Sequence, residues 1–192
     1  MALPATQLAI DDFLDWENQQ PDRHEYCRGE VFAMVGARRV HGLVVGNLFA
    51  AFKTHLKATR CRAFFETMKL QLANNSLFYP DVFVTCDPAD LKTEMVFRQP
   101  TLVAEVLSPS TQLFDRGMKF TAYRQISSLQ EYLLVDPDTR RVEVFRRNER
   151  GNFELFDQTG TAELVLNSVA LRLPMAELFD GLEGDGAPDE SV

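Results

Sequence analysis

The alternation of apolar and polar positions predicts three elements in the first third of the chain. Residues 8–16 carry apolar side chains at helical spacing, with acids in the first turns, which is typical of a short amphipathic helix. Residues 26–34 predict a hairpin that turns at Arg28-Gly29. From residue 41 to residue 56 the apolar side chains recur every three or four positions, which predicts a longer helix.

The middle of the chain predicts strands and one further helix. Residues 101–107 are nearly all apolar, as expected of a strand that is buried on both faces. The hydroxyl groups of residues 108–111 can cap a following helix, and the turn at 136–139 joins two strands into a hairpin. The predicted strands are 61–72, 80–86, 101–107, 131–135 and 142–145, with the helix at 113–126.

This order of elements predicts an α/β fold with a restriction-endonuclease-like core. Helices flank a mixed β-sheet in the order helix-β-β-β-helix-β, and the N-terminal hairpin is an extension. The length of 192 residues suits one domain. We expect residues 1–180 to form that domain and the acidic, glycine-rich residues 181–192 to be a disordered tail.

The bulk composition excludes several classes of protein. No apolar run approaches the roughly 20 residues that span a bilayer, and the N-terminus lacks the basic start of a signal peptide, so no membrane partner is expected. Cys27, Cys61 and Cys86 are widely spaced, which argues against a disulfide framework or a zinc site. We therefore expect a cytoplasmic protein.

The net charge of −8 is unfavourable for binding nucleic acid, because phosphates are neutralised by lysine and arginine. The acids, however, are concentrated near the two ends, whereas basic residues are frequent at 38–69 and 140–150. Such stretches are often only solvated faces. The charge pattern therefore permits a nucleic-acid partner without requiring one.

Asp81, Glu105 and Lys119 are the candidate catalytic residues. Glu105 lies inside an apolar strand, where an ionised carboxylate is costly unless an arginine holds it or it binds a metal. If the two strands are neighbours, Asp81 and Glu105 can converge on one Mg²⁺ or Mn²⁺ ion, together with a strand carbonyl. Lys119 shares a helix face with Asp115 and Tyr123, and it could support the reaction or simply pair with Asp115.

Several motifs together resemble one known family. They are Arg23-His24-Glu25-Tyr26, Pro80-Asp81, Glu105-Val106-Leu107-Ser108-Pro109-Ser110-Thr111, Asp115…Lys119…Tyr123 and Glu131-Tyr132-Leu133-Leu134-Val135-Asp136-Pro137. This set is similar to the Uma-two family, a branch of the PD-(D/E)XK nuclease superfamily. The resemblance implies Mg²⁺-dependent hydrolysis of phosphodiester bonds, with Asp81 and Glu105 as metal ligands.

The chain departs from the superfamily pattern at Leu107, where the E-x-K element has its lysine. The resemblance implies that Lys119 replaces that lysine from the following helix. It also implies an accessory acid near the N-terminus, which could be Glu30 or Glu25. His41 and Tyr123 are further candidates, each with an ordinary structural alternative.

Two hypotheses follow for the function. The first is a divalent-metal-dependent endonuclease that acts on DNA; RNA is less favoured because no RNA-binding module is evident. The second is a catalytically degenerate nuclease fold that serves as a nucleic-acid-binding or assembly protein, which the leucine at 107 and the acidic charge favour. A homodimer is possible under either hypothesis and would supply a second site for the opposite DNA strand.

Overall fold

The computed structural model describes residues 9–34, 36–73 and 75–182. Its helices are α1 (Ile10–Glu17), α2 (Arg39–His55), α3 (112–123) and α4 (Met175–Leu178), and α3 contains a π-helical turn at Asp115–Lys119. Short 3₁₀ turns lie at Leu56–Ala58, Asp90–Lys92 and Asn167–Val169. The strands are β1 (His24–Cys27), β2 (Glu30–Ala33), β3 (Arg62–Phe65), β4 (Lys69–Gln71), β5 (Leu77–Phe78), β6 (Val82–Thr85), β7 (Val96–Phe97), β8 (Pro100–Val106), β9 (Glu131–Asp136), β10 (Arg141–Arg147), β11 (Phe153–Asp157), β12 (Glu163–Leu166) and β13 (Leu171–Pro174).

A mixed sheet of six strands forms the centre, in the order β11-β10-β9-β8-β6-β3. Within the described strands of this sheet, β8 and β9 are the parallel pair, and α3 supplies the crossover connection that a parallel pair needs. In β8 the residues Leu102, Ala104 and Val106 face a core shared with α2, β12 and β13. The alternate residues Val103 and Leu107 face a second core under α3. The predicted mixed sheet flanked by helices is confirmed.

A smaller sheet, in the order β2-β1-β5-β4-β7, holds the N-terminal hairpin. The predicted turn is confirmed: Arg28 and Gly29 both have positive φ, 51° and 96°, as a two-residue hairpin of type I′ requires. The predicted N-terminal helix is also confirmed as α1, whose buried Phe13 stacks on Tyr26 of β1.

The predicted strand at 61–72 is wrong. The chain breaks at Glu66, which has φ of 37°, so that β3 belongs to the central sheet and β4 to the smaller one. Apolar residues lie on both sides of the break, because β3 and β4 each pack against a buried surface. Alternation alone therefore could not reveal it.

The cysteine prediction also needs correction, because Cys61 and Cys86 form a disulfide. The antiparallel register of β3 and β6 pairs Arg62 with Thr85, which brings the next residues, 61 and 86, together across 25 positions of sequence. The wide spacing was a poor guide because strand pairing, rather than sequence distance, decides proximity. The cytoplasmic location loses its cysteine argument and stays a prediction.

The folded part of the chain extends past the predicted boundary at residue 180. Leu182 is buried in the core beside α2, so the proposed tail does not begin at Gly181. Residues 183–192 lie outside the described residues. Among the helices that the structure describes, none is long and apolar enough to cross a membrane.

Candidate active site

The pairing of β6 with β8 brings Asp81 and Glu105 together. Val82 lies opposite Ala104 in the antiparallel register, so Asp81, directly before β6, lies beside the C-terminal end of β8. The Asp81 backbone N–H donates to Glu105 Oε2 at 3.2 Å, and the Val106 backbone N–H donates to Asp81 Oδ2 at 2.7 Å. Each acid is therefore held by the backbone of the other's strand.

Glu105 is 1% exposed, and its carboxylate contacts two side chains of α3. Lys119 Nζ lies 3.2 Å from Glu105 Oε1, and the Tyr123 hydroxyl donates to the same oxygen at 3.0 Å. The helix supplies both groups because residues one turn apart share a face. Glu105 is thus a paired acid, and the partner is a lysine rather than an arginine.

Lys119 is shared among three acids. Its Nζ lies 3.0 Å from Glu25 Oε1, 3.2 Å from Glu105 Oε1 and 3.3 Å from Asp115 Oδ1. We call Glu25, Glu105, Asp115 and Lys119 the acid–lysine cluster. One buried lysine faces three acids in it, so the cluster has more acids than basic groups.

The pKa values of the three acids in the cluster are raised, mainly by burial. Burial raises the pKa of Glu105 well above its usual value, against the opposing attraction of Lys119, and repulsion from Asp81 adds to the increase. Burial likewise raises the pKa values of Glu25 and Asp115. A divalent cation nearby would relieve this repulsion.

Burial by itself has the opposite effect on the pKa of a lysine, and the neighbouring acids reverse it at Lys119. Desolvation alone would lower the pKa of the Lys119 ammonium, but attraction by Glu105, Glu25 and Asp115 outweighs it and raises the pKa well above its usual value. The side chain is therefore a fixed positive charge and a hydrogen-bond donor. It is unsuited to act as a general base.

The π-helical turn of α3 shapes this face of the cluster. Its first residue, Asp115, offers its backbone carbonyl to the hydroxyl of Tyr132 at 3.0 Å, while its carboxylate points to Lys119. Single π turns inside helices are frequent at functional sites. The turn ties α3 to β9 beneath the cluster.

His41 and Glu66 approach Asp81 from another direction. His41, near the start of α2, places Nε2 3.3 Å from Asp81 Oδ2. The Glu66 backbone N–H donates to the carbonyls of Pro80 and Asp81, which holds this residue against the start of β6. One ligand atom from each of His41, Glu66 and Asp81 lies within 4.8 Å of the other two.

The structure brings most of the predicted site residues together. Asp81, Glu105 and Lys119 meet, and Tyr123 and His41 contact them. Of the two N-terminal acids, Glu25 joins the cluster, anchored by the backbone N–H of Tyr79 at 3.1 Å. Glu30 instead begins β2 as an exposed residue opposite Cys27.

Two acids at the site were not among the sequence candidates. Asp115 was visible only as a helical neighbour of Lys119, and its contact with that lysine also fits an ordinary ion pair. The sequence did not indicate a role for Glu66 at the site, because the predicted strand at 61–72 included this residue without a break. Only the break between β3 and β4 brings its side chain to Asp81.

Leu107 occupies the position at which the superfamily pattern has lysine. It is buried in the same core as Tyr123 and Val103. Leu107 and Glu105 are two residues apart in one extended segment, so they share a face. Lys119 reaches Glu105 from the helix that covers that face.

A mixed sheet flanked by helices, with acids meeting where two central strands adjoin, defines a restriction-endonuclease-like α/β protein. The chain belongs to the Uma2 family: the family model described as "Putative restriction endonuclease" matches residues 10–176. This membership supports the resemblance found in the sequence motifs.

Two relatives in Synechocystis sp. are similar in sequence to this chain over most of their own length. "Uncharacterized protein slr1290" is 34% identical over 180 residues, which cover 93% of this chain and 95% of that protein. "Uncharacterized protein sll1609" is 34% identical over 143 residues, which cover 73% of this chain and 81% of that protein.

A solved structure shares the fold. The crystal structure of "a putative nuclease belonging to DUF820" from Anabaena variabilis superposes with a TM-score of 0.73, covering 90% of this chain and 97% of that chain. Its sequence is 22% identical to this chain, so the likeness concerns the fold alone.

Proposed function

We propose that this protein is a divalent-metal-dependent endonuclease that hydrolyses phosphodiester bonds of DNA. The observation that carries the proposal is the meeting of Asp81 and Glu105 across β6 and β8, with the Lys119 ammonium 3.2 Å from Glu105. Membership in the Uma2 family supports the same chemistry.

The residues at the site fit a divalent cation. Carboxylate oxygens are the ligands that Mg²⁺ and Mn²⁺ accept, and the acid–lysine cluster together with Asp81 has more acids than cations. Asp81 and Glu105 would hold the ion, each with lone pairs left after the hydrogen bonds described above. When bound, such an ion lowers the pKa of a coordinated water and neutralises charge on the scissile phosphate.

Lys119 would stabilise negative charge that develops on the phosphate, or orient the attacking water. Its raised pKa keeps it protonated, and a buried cation acts strongly because little solvent screens it. Glu25 and Asp115 hold the ammonium in position, and the Tyr123 hydroxyl holds Glu105. These residues act through Lys119 and Glu105, so we regard them as positioning residues.

The alternative is a degenerate nuclease fold that binds nucleic acid or assembles without cutting. Leu107 in place of lysine favours it, as do the ion pairs that already engage Lys119 with three carboxylates. A measurement of turnover distinguishes the two proposals, because only the first predicts metal-dependent cleavage.

The test is a cleavage assay of the full chain on supercoiled plasmid, single-stranded DNA and RNA, with Mg²⁺, Mn²⁺ or chelator. We expect metal-dependent cleavage of DNA, and a loss of about a hundredfold or more in Asp81→Ala and Lys119→Met. Lys92→Met and Glu149→Ala are matched controls, since both residues are exposed.

The products also test the predicted homodimer. A monomer with one site would nick the plasmid first, whereas a dimer with paired sites would convert it directly to the linear form. Absence of cleavage by folded protein under every condition would favour the degenerate fold. Cleavage of RNA alone would overturn the choice of DNA.

A further inference from the structure

We propose that His41, Glu66 and Asp81 form a cation site that selects Mn²⁺, or a similar transition-metal ion, over Mg²⁺. This deepens the proposed nuclease function and rests on it for the role of Asp81 in catalysis. The three residues come from α2, from the break after β3 and from the position directly before β6.

The spacing of the ligand atoms suits one ion. Atoms that bind the same cation at about 2.1 Å lie roughly 3–4 Å apart. The ligand atoms of His41, Glu66 and Asp81 already lie within 4.8 Å of one another, and His41 Nε2 and Asp81 Oδ2 are separated by 3.3 Å. Small side-chain rotations would complete the set.

Among the residues that the structure describes, the His41 ring contacts Asp81 and makes no hydrogen bond that would hold it elsewhere. Among the described residues, its buried Nδ1 has no hydrogen-bond partner, and Nε2 faces Asp81. The His41 side chain is 12% exposed and that of Asp81 is 18% exposed, so an ion can reach them from solvent. The ring is thus held at the site without being needed for a structural network.

Glu66 is brought to the site by its own backbone. Its N–H donates to the carbonyls of Pro80 and Asp81, at 3.1 and 3.2 Å, at the point where the chain leaves β3 for the smaller sheet. Within the part of the chain that the structure describes, its carboxylate makes no hydrogen bond. Two carboxylates beside one imidazole leave negative charge that a divalent cation would neutralise.

Glu105 does not belong to this set. The ligand atoms that lie within 4.8 Å of one another come from His41, Glu66 and Asp81, and Asp81 is the acid that this site shares with the Asp81–Glu105 pair. The imidazole is what distinguishes the new site from an all-carboxylate one. Imidazole suits transition metals, whereas Mg²⁺ prefers oxygen ligands and keeps its water.

The test measures Mn²⁺ binding to the full chain without DNA, by electron paramagnetic resonance with detection of ¹⁴N coupling. We expect ¹⁴N coupling in the wild type and its loss in His41→Ala and in His41→Gln, which retains a hydrogen-bond donor. Glu66→Gln should weaken Mn²⁺ binding about tenfold or more. His55→Ala, on the exposed end of the same helix, and Glu149→Gln are the matched controls.

Competition by Mg²⁺ supplies a second readout. Mn²⁺ should displace Mg²⁺ readily from the wild type, and His41→Ala should lose most of that preference. Wild-type Mn²⁺ without ¹⁴N coupling, or unchanged binding in folded His41→Ala and Glu66→Gln, would overturn the proposed site.

The cleavage assay separates this inference from the nuclease proposal. Metal-dependent cleavage with unchanged Mn²⁺ binding in both variants would leave the nuclease standing and remove the His41 site. A ¹⁴N-coupled Mn²⁺ ion in a protein that cuts nothing would support the site and overturn the nuclease.

Discussion

Glu105 and Glu131 are two buried acids in neighbouring strands of one sheet, and their surroundings differ. Glu131, 0% exposed at the start of β9, pairs with Arg146 at 2.8 Å and accepts from the backbone N–H groups of Asn167 and Ser168. Glu105 shares one lysine with two other acids and adjoins Asp81.

The comparison separates an acid whose charge is balanced by its neighbours from one whose charge is not. Glu131 has an arginine of its own and donors for both oxygens, including the Ser168 hydroxyl, so its charge is balanced locally. Repulsion from neighbouring acids adds to burial in raising the pKa of Glu105. Unbalanced buried charge of this kind clusters at functional sites.

The largest effect is expected on the free energy of unfolding when Glu131 is replaced. Glu131→Ala should lower the free energy of unfolding by about 3–5 kcal/mol, because it leaves Arg146 partly buried without its partner. Denaturant unfolding measures the change. A loss below 1 kcal/mol would mean that Glu131 is not the structural counterpart we describe.

Glu105→Gln should show the opposite behaviour. We expect cleavage to fall about a hundredfold or more, because the carboxylate next to Asp81 is lost. Stability should change far less than in Glu131→Ala, since the substitution also removes a like charge from the cluster. Plasmid cleavage measures the activity, and denaturant unfolding of the same preparation measures the stability. Full activity in Glu105→Gln would contradict the comparison.

Lys119 should contribute to both the cleavage activity and the stability of the fold. Lys119→Met keeps most of the buried side-chain volume but leaves Glu25, Glu105 and Asp115 without their shared cation. We expect a loss of about 3 kcal/mol or more in stability, by analogy with other broken buried pairs. Added Mn²⁺ should restore part of it, and thermal unfolding with and without the ion measures the recovery.

The smallest effect distinguishes the two N-terminal acids. Glu25→Gln should reduce cleavage about tenfold, because it removes one of the groups that position Lys119. Glu30→Gln is its matched control and should stay within a factor of two, since Glu30 is exposed at the start of β2. Parallel single-turnover assays compare them. Equal losses of cleavage in the two variants would indicate that Glu30 also acts at the site.

Much of the fold was predictable because its signals are local. The apolar run at 101–107 and the helical spacing from residue 41 to residue 56 correspond to β8 and α2. The strand at 61–72 failed, because its break at Glu66 depends on which sheet each half joins. The C-terminal strands β11 to β13 were not predicted from the sequence.

The sequence by itself determined which residues we propose to carry the chemistry. Glu105 is conspicuous as an acid in an apolar strand, and the motifs around it place the chain in its family. These features are readable because burial of a charge is costly wherever it occurs. The convergence of Asp81 on Glu105 required only that their strands be neighbours.

Only the tertiary structure decided which of several equivalent residues meet at the site. It brings Glu25 rather than Glu30 to Lys119, aligns Cys61 with Cys86, and carries Glu66 to His41 and Asp81. Each choice depends on strand register or on a single backbone bend. Contacts between residues far apart in sequence follow from the packing of whole elements, which local patterns of side chains do not encode.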